Sequence, residues 1–159
     1  MNTENIPQEL KAYDQWVVWK WETRKGKPTK PLYNVVTGKN ASHSDPETWG
    51  TFKQAVAAYE TPDSGFDGIG FVFAEEDPFC GIDLDKCRDL VSGNIEPWAL
   101  KLIKEFDSYT EISPSGTGLK IFIKGHLSGG GIKTKHVEVY DRQRYFTVTG
   151  QAYGGQNGD

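Results

Sequence analysis

Residues 81–85 read Gly-Ile-Asp-Leu-Asp, and that order limits what the segment can fold into. Strand side chains alternate between faces, so Asp83 and Asp85 leave one side of an extended chain while Ile82 and Leu84 leave the other. The apolar side needs a core. The acidic side places two carboxylates together, where each raises the other's pKa unless a cation lies between them. Hard oxygen ligands of this kind suit Mg2+ or Mn2+. The same Asp-x-Asp pattern is also common at exposed strand ends that bind nothing. A second acidic strand, Val-Glu-Val-Tyr-Asp at 137–141, sets Glu138 between two valines. Glu138 is either one solvent-facing position on a half-exposed sheet or a third metal ligand beside the first two.

Other segments carry the same alternation. Residues 15–21 (QWVVWKW), 69–73 (IGFVF) and 119–123 (LKIFI) read as strands, and 30–34 and 109–112 as short extended pieces. Residues 25–30 form a basic turn with Gly and Pro, and 65–70 and 77–79 are turns. Asp45-Pro46 opens a helix with Ser44 or Asp45 as cap, and Trp49, Phe52, Val56 and Tyr59 fall at helical spacing. A second helix spans 97–107 with Trp98, Leu102, Ile103 and Phe106 on one face. A Gly-rich loop covers 129–131, and strands at 137–140 and 145–149 are joined by a tight turn at 141–143. These elements predict an α+β domain with mainly antiparallel strands over 13–150, a tail at 1–12 and a linker at 151–159.

Charge narrows the function classes. Eighteen basic residues against 22 acidic ones give a net charge of −4, unlike a simple nucleic-acid binder. The distribution is uneven. Lys20, Arg24, Lys25, Lys27 and Lys30 crowd an early segment, Lys120, Lys124, Lys133, Lys135, Arg142 and Arg144 a late one, and acids concentrate between Glu60 and Glu111. Carboxylates for metals beside basic walls for phosphates produce this pattern, and so do ordinary solvated charge runs. Cys80 and Cys87 match no zinc-ligand spacing and read as reduced side chains. No apolar run approaches the roughly 20 residues of a membrane span, and the polar start lacks a signal-peptide apolar region, which points to the cytoplasm.

Two further segments suit anionic ligands. Ser113-Pro-Ser-Gly-Thr-Gly-Leu-Lys120 is a Ser/Gly turn running into a strand. Small residues let backbone N–H groups approach an anion, and Lys120 supplies a point charge; plain turns of this composition are also frequent. Arg144-Tyr145 pairs a phosphate-binding cation with a stacking ring, or is a surface Arg beside a core aromatic.

Taken together, DPFCGIDLDKC, DSYTEISPSGTGLKIF and VEVYDRQRYFTVTG, in this order, resemble the primase-polymerase domain of the archaeo-eukaryotic primase superfamily. The similarity is to the type found at the N-terminus of phage, plasmid and prophage replication proteins. QWVVWKW, KPLYN and ASHSDPETWGTF fit the same group, so the resemblance runs from about Tyr13 to Tyr153. It implies a small α/β N-terminal unit packed on an RRM-like sheet. It also implies that Asp83, Asp85 and Glu138 are catalytic and hold Mg2+ or Mn2+. Ser113, Ser115, Gly116, Lys120, Arg144 and Tyr145 would contact the nucleotide, and Lys27, Lys30, Lys133 and Lys135 are candidate DNA contacts. Lys120 stands where many members carry a His; a lysine neutralises phosphate but offers no neutral imidazole.

The reaction implied is nucleotidyl transfer from a nucleoside triphosphate to a primer 3′-OH on a DNA template. Single-stranded or primer-template DNA is the partner, with a helicase domain or protein beyond it; neither a helicase nor a helical priming domain is encoded here. One alternative is a catalytically weak single-stranded DNA or nucleotide-binding module. Another is a metal-dependent nuclease, although His43, His126 and His136 lie outside the acidic motifs and leave no evident general base.

Overall fold

The structure is a computed structural model describing residues 1–125 and 132–154, with the backbone alone at 132 and 133. After a 3-10 turn at Thr3–Asn5 come helix α1 (Gln8–Lys11) and strands β1 (Trp16–Trp19), β2 (Glu22–Arg24), β3 (Lys27–Thr29) and β4 (Leu32–Tyr33). A 3-10 turn at Pro46–Thr48, α2 (Phe52–Glu60), β5 (Gly68–Phe73), β6 (Phe79–Leu84) and α3 (Pro97–Phe106) follow. The described chain closes with β7 (Thr110–Ile112), β8 (Leu119–Lys124), β9 (Ile132–Lys133), β10 (Val137–Tyr140) and β11 (Arg144–Val148). One sheet has the order β11-β5-β1-β4, a second the order β7-β8-β6-β10-β9, and β2-β3 is a separate hairpin. All pairings among these strands are antiparallel, so the fold is α+β with mainly antiparallel sheets.

Two bent ribbons join the sheets. β5 leaves the first sheet and continues as β6 in the second; β10 leaves the second and continues as β11 in the first. Their partners match on both sides of the bend, since Tyr140 opposes Gly81 and Arg144 opposes Phe73. The tight turn at 141–143 was read from sequence as a simple joint between two strands. It carries the chain from one sheet to the other, and β10 and β11 do not pair with each other. Buried Asp77 fixes the bend between β5 and β6 by accepting from Ala74 N, Phe79 N and Gln15 Nε2, each at 2.7 Å.

The second sheet has two unlike faces. Ile82, Leu84, Leu119, Ile121, Val137 and Val139 pack with Ala99 and Ile103 of α3 into one core. The opposite face turns to the first sheet, where Phe122 and Tyr140 join the larger core of Trp16, Phe71, Phe73 and Phe146. Gly81 makes this approach possible: a Cβ there would lie 2.5 Å from Phe146 and 2.6 Å from Phe73. Asp83, Lys120 and Glu138 have the same parity as Gly81, Phe122 and Tyr140, so the acidic face looks into the space between the sheets.

Several sequence expectations shift. The helix expected from Asp45 onward breaks at 49–51, because Gly50 exchanges 2.9 Å hydrogen bonds with Trp16 and Trp49 Nε1 donates to Ser42 O at 2.6 Å. α2 then restarts with a Thr51/Gln54 capping box. Phe106 leaves the apolar face of α3 and is 41% exposed. The first twelve residues are no loose tail: Ile6 and Leu10 are buried, and Asn2 N donates to Thr149 O. Chain expected as linker pairs with β7 as far as Tyr153, whose N–H donates to Thr110 O at 2.8 Å. The Gly-rich loop at 129–131, His126 and residues 155–159 lie outside the described residues.

Candidate active site

Strand register lines up charged residues in one row across the second sheet. Glu111 opposes Lys120, Lys120 opposes Asp83, and Asp83 opposes Glu138. Opposed residues of an antiparallel pair share a face, with Cα atoms about 4.5–5.5 Å apart. The backbone of Lys133 continues the row beyond Glu138. Asp85 lies just past the end of β6, exposed, and its N–H donates to His136 O at 2.8 Å. Asp83 and Glu138 are thus brought together, with Asp85 two residues further along the chain, past the end of β6.

Lys120 is a buried cation fixed by three neighbours. Its Nζ lies 3.5 Å from Asp83 Oδ1 and 4.5 Å from the centre of the Phe146 ring, and Glu111 sits opposite it on β7. Glu111 is itself wholly buried. Its Oε1 accepts from Thr149 N at 2.9 Å and its Oε2 from Gly150 N at 3.1 Å and Tyr109 OH at 2.8 Å. Burial pushes the Glu111 pKa up, while these donors and Lys120 pull it back.

Lys30 arrives from the segment between β3 and β4. Its ammonium senses Lys120, Asp83 and Asp85, and burial, followed by repulsion from Lys120, lowers its pKa to about 8. Its Nζ stands 5.1 Å from the Trp21 ring centre, and its backbone carbonyl accepts from Tyr145 OH. Tyr145 thereby ties the Lys30 segment to β11; its ring lies where a Cβ on Gly70 would come within 2.6 Å.

The Ser113–Gly118 turn is built against the end of β6. Ser113 Oγ and Ser115 Oγ lie 3.0 Å apart, Ser113 Oγ accepts from Gly118 N at 3.1 Å, and Gly116 takes φ +81°. Arg88 secures the turn from below, donating from Nη1 to Gly116 O at 2.9 Å. Arg144 lies 4.6 Å over the Tyr140 ring, and Tyr140 OH donates to Glu138 Oε2 at 2.5 Å. Lys27 and Lys135 are exposed, on the β2-β3 hairpin and the β9-β10 turn. His136 stacks on Trp98 at 5.9 Å, and His43 lines a separate cleft with Trp49 and Arg142. Cys80 and Cys87 are buried and unpaired, their thiols pushed up by burial to about 11.

This arrangement can be set beside known proteins. No family model matches the chain. It is 42% identical over 154 residues, 93% of its length, to the DNA primase-polymerase of Nitratiruptor phage NrS-1. Nearly the whole chain is thus similar to one segment of a phage DNA primase-polymerase. It spans 21% of that relative. Within such a domain the row of Asp83, Glu138 and Lys120 is the natural candidate for the reacting centre.

The donor set fits a divalent metal ion in kind: carboxylate oxygens at opposed positions on one sheet face, with Asp85 beside them. As they stand, Asp83 pairs with Lys120 and Glu138 accepts from Tyr140, and among the described residues no three potential ligands are gathered around one point. Sequence reasoning did not single out Glu111 or Arg88; it placed Lys30 among candidate DNA contacts and expected some lysine or arginine of the 25–30 turn to join Lys120 on the triphosphate, without saying which. Their partners lie far along the chain, and only register and sheet packing bring them together.

Proposed function

We propose that this chain is the catalytic core of a primase-polymerase. It would transfer nucleotides from nucleoside triphosphates to a primer 3′-OH on a DNA template, in replication of a phage or mobile element. The carrying observation is the cross-strand pairing of Asp83 with Glu138 inside a domain 42% identical to a phage primase-polymerase. The two sheets are read as the archaeo-eukaryotic primase fold.

Asp83, Asp85 and Glu138 would hold Mg2+ or Mn2+, which when bound would offset charge on the triphosphate and lower the cost of 3′-oxygen attack. The protein's own groups do the rest. Lys30 and Lys120 neutralise the triphosphate tail, and Lys120 also holds Asp83 in place through their 3.5 Å ion pair. The Ser113–Gly118 turn, held by Arg88, offers hydroxyls and backbone to a phosphate. Arg144, braced on Tyr140, reaches for sugar or template. Tyr145 acts through Lys30. Lys27, Lys133 and Lys135 remain candidate DNA contacts. A helicase partner and a cytoplasmic setting belong to the same proposal; no described helix is long and apolar enough to cross a membrane.

The test is extension of a labelled primer on a DNA template with dNTPs and Mg2+ or Mn2+. Wild-type protein should extend the primer, and an Asp83→Ala, Asp85→Ala double variant should not. Equal extension by both would contradict the assignment.

A further inference from the structure

Lys27 apart, the β2-β3 hairpin and the Trp21 beside it have been given no role above, yet they are built in an unusual way. Trp21 is 45% exposed although only Lys20 separates it from the buried strand β1. It is nevertheless held. Its N–H donates to Asp67 Oδ2 at 2.6 Å, its ring meets Trp19 edge-on with centroids 5.6 Å apart, and Lys30 Nζ lies 5.1 Å from its centre. An exposed indole fixed by backbone, ring and cation has already lost the freedom that a ligand would otherwise have to remove.

Around it the surface is basic. Arg24, Lys25 and Lys27 are exposed on the hairpin, whose Lys25-Gly26 turn has φ of 52° and 75° at its two central residues. That is a tight hairpin turn, so it presents these cations on a short, stiff arm. Glu22, the acid on this arm, is engaged by Tyr33 OH and by Arg24 at 3.6 Å. Lys30 links the two regions, touching Trp21 on one side and sensing Asp83 and Asp85 on the other.

We infer that Trp21 is a stacking platform for a nucleobase of single-stranded DNA, with the hairpin cations following the strand's phosphates toward the Asp83 row. A π-face accepts any base, so the contact is indifferent to sequence, as a template grip must be. Cations spaced along an arm suit a polyanion, whereas a free nucleotide would need only one of them; the ligand is therefore a strand. This inference rests on the proposed polymerase reading for its direction, but its test does not depend on catalysis.

Binding of a labelled oligo(dT) is measured for wild type, Trp21→Ala and Trp21→Phe across a salt series, with an abasic oligonucleotide of equal length and dTTP as controls. Removing one base–aromatic stack should weaken oligo(dT) binding by about tenfold. Phe should restore most of it. The salt slope should stay as in wild type, because no phosphate contact is lost. The abasic strand and dTTP should bind wild type and Trp21→Ala alike. Equal oligo(dT) binding by wild type and Trp21→Ala, or an equal loss with the abasic strand, overturns the platform. If it falls while primer extension persists, the polymerase reading stands alone; if wild type neither binds nor extends DNA, both fail.

Discussion

At the scale of single residues, the site depends on charges whose partners are fixed. Glu111 is the clearest case. Both of its oxygens accept a backbone N–H, from Thr149 and Gly150, so neither can be replaced by a donor. Glu111→Gln must face an amide NH2 toward one of those N–H groups, and should cost about 2 kcal/mol of stability, read as a lowered thermal midpoint. Lys30 gives a pH prediction. An ordinary lysine stays charged past pH 10, but this one is lowered to about 8 by burial and by Lys120. Between those values the unfolded chain keeps a proton that the folded chain has released, so this group's contribution to stability rises with pH across the window. Affinity for nucleotide phosphates should fall over the same window as the amine becomes neutral. In Lys30→Arg, dNTP affinity should lose that dependence; the same pH profile in both proteins would count against Lys30 as a phosphate contact.

At the scale of elements, the strands were legible and their partners were not. GIDLD and VEVYD announce themselves by period-2 alternation, and both are strands with carboxylates on one face, although β6 ends at Leu84 and leaves Asp85 just outside. Nothing in the spacing of 83, 120 and 138 says that these positions share a row, because register follows from turns and packing. A three-residue turn between two strands reads as a local joint, whereas here it switches sheets. The helix at 48–59 was misjudged at its start because Trp49 and Gly50 are claimed by tertiary partners, Ser42 and Trp16. The sheet-to-sheet contact depends on Gly81. In Gly81→Ala the new methyl meets the Phe73 and Phe146 rings, and a loss of about 2 kcal/mol in unfolding free energy is expected from chemical denaturation.

At the scale of the whole molecule, the two sheets divide the work. The second sheet carries the acids and is backed by α3. The first carries Phe146 under Lys120, and Tyr145 holding the Lys30 segment, and so closes the acidic face from the other side. The chain start and residues 149–153 lock the edges, through Asn2 to Thr149 and through Glu111 to the same stretch. The acidic positions and the relationship they imply were legible in the sequence; that Lys30, from the segment between β3 and β4, approaches the same row as Lys120 depends on how the sheets pack. The central claim, that this row performs nucleotidyl transfer, is tested most directly by the rate of first-nucleotide addition to a labelled primer-template with Mn2+. The comparison is wild type against Glu138→Gln, which keeps the side chain's size and an oxygen for Tyr140. The account predicts a rate lower by about 100-fold or more with an unchanged melting temperature. An undiminished rate would show that Glu138 is not part of the reacting centre.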